Sequence, residues 1–168
     1  AFSPDLNKSL ALAGDHRGVL YSSTDNGEVW QQTLQTSDAG AITSIAISPN
    51  FSSDGTFFVG TEKGGILRTG DGGVSFTEVN TGLRFTIRGK YGTFRKSGEG
   101  PAIRRDEKSI ISIAISPNYE SDSTVFISMW NEAIFTSDDG GITWERYPLG
   151  LTCHSQADSD KYKSPHFR

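Results

Sequence analysis

The sequence contains a single cysteine, Cys153, and nowhere approaches the run of about 18 apolar residues that a membrane-spanning helix needs. One cysteine excludes an intrachain disulfide framework and a cysteine-rich zinc site. The net charge of the whole protein is −4, which does not favour a nucleic acid or an anionic membrane as partner. The amino terminus has no basic segment followed by an apolar run, so no signal peptide is predicted.

Glycine and aromatic residues are plentiful, in contrast. The chain has 19 glycines among 168 residues, 11% aromatic residues and 21% charged residues of mixed sign. This composition is typical of a turn-rich β protein and argues against a disordered polyelectrolyte. The length suits one domain with its own core.

A long internal repeat organises the chain. The segment from Ser44 to Phe76 recurs from Ser112 to Trp144, with matching residues 68 positions apart and no gap. A third, weaker copy runs from Phe2 to Trp30. Such a repeat indicates a supersecondary unit that buries its faces only by stacking on its neighbours.

Each unit is predicted to be a four-stranded antiparallel meander. In the middle copy the segment "SPNFSSDG" predicts a turn, because proline fixes φ and Asn, Asp and Gly accept turn geometry. Short apolar runs closed by such turns predict the strands. These strands are Ile42–Ser48, Thr56–Thr61, Ile66–Thr69 and Ser75–Val79.

The sharpest motif is Ser/Thr-x-Asp-x-Gly-x-x-aromatic, found three times between the third and fourth strands. We expect the aspartate to accept backbone hydrogen bonds across the turn and the glycine to take a positive φ. We expect the aromatic ring to wedge between adjacent sheets. A calcium or catalytic role is disfavoured, since no copy supplies the several oxygen ligands of a calcium loop. The predicted structural residues are Ser23, Asp25, Gly27, Trp30, Thr69, Asp71, Gly73, Phe76, Ser137, Asp139, Gly141 and Trp144.

These three segments resemble the Asp-box, or bacterial neuraminidase repeat, and "SPNFSSDGTFFVGTEKGGILRTGDGGVSF" is similar to the blade consensus of Asp-box β-propellers. The resemblance covers nearly all of Phe2–Leu83 and Ile110–Leu151. It implies an all-β propeller of four-stranded antiparallel blades, with the Asp-boxes opposite the face that binds ligands. The family includes sialidases, xyloglucan-active glycosidases, sortilin-type receptors and photosystem assembly factors, so the fold implies no single activity. By resemblance alone, the location is secreted, periplasmic or at the cell surface.

The chain holds about three blades. We expect blade 1 at 1–35, blade 2 at 42–83, an inserted basic loop at 84–109, blade 3 at 110–151 and a second long loop at 152–168. Because Ala1–Pro4 aligns with Ala46–Pro49, blade 1 is expected to lack most of its inner strand. Closed propellers usually need about 4–8 blades. We therefore expect a section of a larger ring, closed by the remaining blades or by other copies.

The two long loops are the predicted place of function, because they are expected to emerge opposite the Asp-boxes. Residues 84–108 carry eight Lys and Arg against three Asp and Glu. They could bind an anionic group through paired hydrogen bonds from arginine, or stack aromatic rings on sugars. They could also simply form ion pairs with the acidic remainder of the chain. The candidate ligand-binding residues are Arg84, Arg88, Lys90, Tyr91, Arg95, Arg104, Arg105 and His154.

Catalytic and metal sites are not predicted. His154 and His166 with Asp158 or Asp160 could ligate a metal, and Cys153 beside His154 could suggest a thiol nucleophile, but neither has a recognisable spacing. We predict no metal and no cofactor. The sialidase Arg-Ile-Pro signature is absent, and the candidate acids on the ligand face form no glycosidase motif. These acids are Glu62, Glu99, Asp106, Glu107 and Glu132.

The preferred hypothesis is a non-catalytic β-propeller module that presents long loops to a protein or glycan partner, including an anionic one. Nucleic acid is disfavoured because the rest of the chain is acidic. The alternative is part of a secreted glycoside hydrolase, sialidase-like or xyloglucanase-like, whose catalytic residues lie largely in other blades. A structural subunit of a larger complex also fits the sequence.

Overall fold

A computed structural model describes residues 1–4, 9–36, 38–83, 109–130 and 134–147, which form three antiparallel sheets. Each sheet is a meander, with consecutive strands hydrogen-bonded to each other. The first sheet contains β1 (Ala11–Gly14), β2 (Val19–Ser23) and β3 (Gln31–Gln35). The second contains β4 (Ile42–Ile47), β5 (Phe57–Thr61), β6 (Ile66–Thr69) and β7 (Thr77–Glu78). The third contains β8 (Ile110–Ile115), β9 (Val125–Met129), β10 (Ile134–Ser137) and β11 (Glu145–Arg146). The predicted all-β class is confirmed.

Strand boundaries in the second sheet follow the apolar pattern closely. The strand β6 has the predicted bounds, and β4 and β5 are each one residue shorter than predicted. The outermost strand, predicted as Ser75–Val79, is only Thr77–Glu78. It is shorter because both the backbone and the hydroxyl of Ser75 are hydrogen-bonded to the preceding turn.

The segment "SPNFSSDG" folds as one helical turn, α1 (Phe51–Asp54), where a simple turn was predicted. The hydroxyl of Ser48 accepts the N–H of Asn50 at 3.1 Å and donates to Asp54 at 2.6 Å, which bridges the helical turn from end to end. The third sheet has the matching helix α2 (Tyr119–Asp122). In the part of the chain that the structure describes, no helix has the length or apolar character to cross a membrane.

The hydrophobic core lies between the sheets and not within any one of them. One cluster joins the first and second sheets through buried residues that include Leu12, Leu20 and Phe57. A second cluster joins the second and third sheets and includes Phe58 and Trp144. Neighbouring sheets therefore depend on each other for burial of their apolar faces.

The inner strands of the second and third sheets lie side by side. The hydroxyl of Thr43 in β4 donates to the carbonyl of Ile110 in β8. The N–H of Ile113 donates to the hydroxyl of Ser44 at 3.1 Å. A side chain on Gly60 would collide with Ile110, so glycine is what lets β8 approach β5 this closely. Thr43 and Ser44 at the inner edge therefore connect the second sheet to the third.

The strands have two distinct ends. The helical turns lie at the same end as the Asp motifs, since the N–H of Gly72 donates to Gly55 at 2.9 Å and that of Gly140 donates to Ser123 at 3.0 Å. We call this the aspartate end. The other end, which we call the loop end, carries the β1–β2 and β5–β6 turns and the end of β9.

Candidate functional site

The aspartate turn of the second sheet is closed by one carboxylate. One oxygen of Asp71 accepts the N–H groups of Val74 and Ser75, both at 3.0 Å, and the hydroxyl of Thr69 at 2.7 Å. The other oxygen accepts the hydroxyl of Ser75 at 2.6 Å. The hydroxyl of Thr69 in turn accepts the N–H of Gly73 at 3.0 Å. The carboxylate is thus used fully within its own turn.

The third sheet repeats this network, and the first sheet has a weaker version. Asp139 accepts the N–H of Thr143 at 2.9 Å and its hydroxyl at 2.6 Å. Asp25 accepts the hydroxyl of Ser23 at 2.6 Å and the N–H of Val29 at 3.0 Å. Val29 stands where the other copies have Ser or Thr, so the side-chain hydroxyl bond is missing there.

The glycine of the motif takes a left-handed backbone conformation in all three copies. The φ angles of Gly27, Gly73 and Gly141 are +95°, +97° and +84°. A Cβ atom on Gly141 would also collide with the ring of Phe58 in the second sheet. The position therefore accepts only glycine without strain.

Hydrogen bonding keeps the three carboxylates ionised. The hydroxyl and N–H of Ser75 hold the pKa of Asp71 far below its usual range. Partial burial raises the pKa of Asp139, but the hydroxyl and N–H of Thr143 outweigh this effect and bring it to about 2. The hydroxyl of Ser23 likewise lowers the pKa of Asp25. A general acid needs a raised pKa, so this environment does not suit acid catalysis.

The three motif aromatics have unlike surroundings, which corrects the expectation that each is wedged between sheets. Trp144 is only 2% exposed, and its indole N–H donates to the carbonyl of Val79 in the second sheet at 2.7 Å. Phe76 is partly buried and packs edge-on against Phe57, with ring centroids 5.7 Å apart. Trp30 is 42% exposed. The first sheet has no sheet on that side within the described chain, so nothing covers Trp30.

The description of the chain stops at the loop end, just before the segment that carries most of the candidate ligand-binding residues. Leu83 is buried at the last described position before the basic loop, and Ile110 is buried where the chain enters β8. The predicted ligand-binding residues lie outside the described residues, as do most of the candidate acids and the groups of the second loop. They are Arg84, Arg88, Lys90, Tyr91, Arg95, Arg104, Arg105, His154, Glu99, Asp106, Glu107, Glu132, Cys153, Asp158, Asp160 and His166.

Two of the loop-end carboxylates that the structure describes accept backbone hydrogen bonds. Asp15 accepts the N–H of Val19 at 2.9 Å and pairs with Arg17 at 3.2 Å. Glu62 accepts the N–H of Ala41 at 3.4 Å in the connection from the first sheet. Within the described ranges, no group of three or more His, Cys, Asp or Glu residues could hold a metal ion.

Trp130 is the loop-end feature that the sequence reasoning missed. It directly follows β9 and is 66% exposed. Its backbone N–H donates to the carbonyl of Ser109 at 3.0 Å, which anchors the residue beside the start of β8. In the repeat alignment Trp130 occupies the position of Glu62. The replacement of a charged residue by an aromatic one at the end of a strand is the sequence signal that could have identified it. An exposed indole on a fixed backbone is a natural stacking platform.

Comparison with protein-family models and with curated proteins gives no match. Solved structures do match. The GH74 enzyme of Niastella koreensis superposes with a TM-score of 0.57 at 19% identity, covering 84% of this chain and 21% of that one. YCF48 bound to D1 peptide gives 0.53 at 16% identity, with coverages of 86% and 38%. The GH74 xyloglucanase from Xanthomonas campestris gives 0.54 at 15% identity, with coverages of 87% and 23%.

These similarities establish the fold. The chain has the architecture of a section of a β-propeller, with three successive antiparallel sheets packed face to face. It spans well under half the length of each of the three structures. Similarity at this level of identity carries no activity from those proteins to this one.

Proposed function

We propose that the chain is part of an Asp-box β-propeller whose loop end binds a protein or glycan partner without catalysing a reaction on it. The three aspartate turns support the Asp-box assignment, because they share one hydrogen-bonding pattern and one glycine conformation. Their carboxylates are used within the turns, which leaves the loop end for recognition.

The observation that carries this function is Trp130. It is a large aromatic ring, 66% exposed, at the end of a central strand beside the entry to the third sheet. An exposed indole offers apolar contact area to a sugar ring or a peptide side chain. Two described carboxylates of the loop end, Asp15 and Glu62, each accept a backbone N–H and follow strands of different sheets.

The chemistry of the partner follows from the charges of the connecting segments. Residues 84–108 hold eight Lys and Arg against three Asp and Glu, which favours a partner that carries carboxylates or other anionic groups. Of the structures that share the fold, one is bound to a peptide and one is a xyloglucanase. A peptide and a neutral glucan are therefore the two ligand classes to test against an acidic glycan.

The test is binding of immobilised glycans and peptides to the wild-type chain and to two tryptophan variants. Trp130→Ala is expected to weaken binding about tenfold or more, since stacking on an aromatic ring contributes about 1–3 kcal/mol. Trp30→Ala is the matched control, because Trp30 is also exposed but belongs to the aspartate end. Equal loss in both variants, or no loss in either, would contradict the proposal.

Hydrolysis is measured in the same series with xyloglucan oligosaccharides and fluorogenic sialosides. Turnover that disappears when one carboxylate is replaced would favour the alternative, a glycoside hydrolase. The proposal predicts binding with no turnover.

We further propose that additional blades or other copies cover the outer face of the first sheet, and that the protein acts in a secreted, periplasmic or cell-surface setting. The exposed ring of Trp30 supports the first point, because the equivalent Trp144 is covered by a neighbouring sheet. Sedimentation of the full-length protein distinguishes a closed monomer from an oligomer. Cell fractionation tests the location, and a cytosolic pool alone would overturn it.

A further inference from the structure

The first aspartate turn contains the one asparagine–glycine pair of the sequence. Of the six asparagines, only Asn26 is followed by glycine, Gly27, and the other five precede larger residues. Asparagine is a chemically labile residue, because its side-chain amide can be attacked by the backbone nitrogen of the next residue. Glycine has no Cβ to shield that nitrogen, so this pair is the most reactive one in the chain.

Asn26 stands where the other two aspartate turns have glycine. Its φ angle is +61°, and the corresponding Gly72 and Gly140 have φ angles of +78° and +79°. Asparagine tolerates this left-handed conformation, so the turn keeps its shape. Asn26 is exposed, and Gly72 is still partly exposed although the first sheet packs against the second. Solvent therefore reaches this position in both turns.

In the closed turn both reacting groups are engaged in hydrogen bonds. The N–H of Gly27 donates to Ser23 Oγ at 2.9 Å, and Asn26 Oδ1 accepts the hydroxyl of Ser9 at 2.8 Å. The Gly27 nitrogen must lose its proton to attack, and the bond to Ser23 holds that proton in place. The reaction therefore needs a local opening of the turn.

The first aspartate turn lacks one bond that keeps the other two closed. In those turns Ser75 and Thr143 each donate a hydroxyl to the motif aspartate at 2.6 Å. Val29 stands at this position in the first turn and has no hydroxyl. The loss of one hydrogen bond raises the population of the open form. The asparagine–glycine pair thus lies in the turn that opens most easily of the three.

We propose that Asn26 is a site of spontaneous deamidation, and that opening of the first aspartate turn sets its rate. In the open turn the Gly27 nitrogen bonds to the side-chain carbonyl carbon of Asn26. The proton of that nitrogen passes to a base of the solvent, and the side-chain nitrogen takes a proton from water and leaves as ammonia. Water then opens the resulting succinimide at either carbonyl, which gives aspartate or isoaspartate. The site lies at the aspartate end, so this proposal is independent of the function proposed above.

The two products differ in their effect on the turn. Aspartate at position 26 keeps the backbone and adds a negative charge beside Asp25. Isoaspartate inserts a methylene group into the main chain before Gly27. The N–H groups of Gly27 and Val29, which donate to Ser23 and Asp25, are then displaced along the chain. We expect the isoaspartyl form to have a lower urea midpoint than the unmodified chain.

The experiment is incubation of the full chain at mildly alkaline pH, followed by proteolysis and mass spectrometry of the peptide that contains position 26. We expect conversion at Asn26 ahead of the other five asparagines. The free peptide Thr24–Trp30 is the unprotected reference and is expected to convert faster than the folded chain. No conversion of Asn26 in the folded chain by the time the peptide has fully converted would overturn the proposal. Equal conversion of the other asparagines would also overturn it.

Two variants at position 29 test whether the turn sets the rate. Val29→Thr supplies the missing hydroxyl bond and is expected to slow conversion in the folded chain on the order of fivefold. Val29→Ala adds no bond and is expected not to slow it. The same two changes in the free peptide control for the effect of sequence alone and should alter its rate little. Equal rates for Val29→Thr and the wild type in the folded chain would contradict the role given to the turn.

Discussion

Replacement of Trp144 by alanine is expected to destabilise the protein by about 3–5 kcal/mol, the range for removal of a large buried aromatic side chain. The ring is 2% exposed and belongs to the core that joins the second and third sheets. Its indole N–H also bonds the carbonyl of Val79 at 2.7 Å, so the variant leaves that acceptor without its partner. The change therefore loosens two sheets at once.

The matched variant is Trp30→Ala, which removes the same residue from the same motif position. Trp30 is 42% exposed, and its indole N–H donates to Gly27 within its own turn. Because the ring spans no sheet interface in the described chain, the expected loss is only about 1 kcal/mol. The contrast between the two variants isolates the contribution of packing between sheets.

Urea denaturation followed by far-ultraviolet circular dichroism measures both losses without reliance on tryptophan fluorescence. Trp144→Phe keeps most of the ring volume and removes the indole N–H, and it is expected to cost about 1–2 kcal/mol. This variant keeps the test usable if the alanine variant does not fold. Equal losses for Trp30→Ala and Trp144→Ala would refute the assignment of Trp144 as the contact between sheets.

Three further predictions concern single turns. Val29→Thr supplies the hydroxyl that the first aspartate turn lacks and is expected to raise the free energy of unfolding by about 0.5–1.5 kcal/mol in urea titrations, whereas Val29→Ala should not. Asp139 has a pKa lowered from 3.8 to about 2, so its contribution to stability is complete above pH 3.8 and is lost as pH falls toward 2. Urea midpoints measured at a series of pH values should fall across this window. The fall should be smaller in Asp139→Asn. Ser123 ends α2 with a φ of +49°, where α1 has Gly55 at +58°; Ser123→Gly is expected to raise the thermal midpoint by a few degrees, and an unchanged or lower midpoint would contradict strain there.

The sequence allowed prediction of the strands because their signals are local. The alternation in β4 and the glycines and aspartates of each turn lie within a few residues of one another, so the pattern can be read directly. The helical turn α1 was not predicted, because it is bridged by a hydrogen bond from the hydroxyl of Ser48 to Asp54. The polar residues of this segment do not by themselves indicate that bond.

The exposure of Trp30 could not be predicted from the motif. Its motif is nearly the same as that of Trp144, and only the presence or absence of a neighbouring sheet distinguishes the two rings. Trp130 was missed for a related reason, since exposure at a strand end depends on how loops and sheets surround it. Contacts between sheets are long-range, and a repeat pattern describes each unit without describing its neighbours.

The aspartate turns have a consequence for how the protein forms. Among the described residues, the side-chain hydrogen bonds of Asp25, Asp71 and Asp139 reach at most four residues along the chain. Closing so short a loop costs little entropy, so each turn can close without contacts to distant segments. A unit with this property can be copied in tandem by gene duplication, because every copy brings the residues that close its own turn.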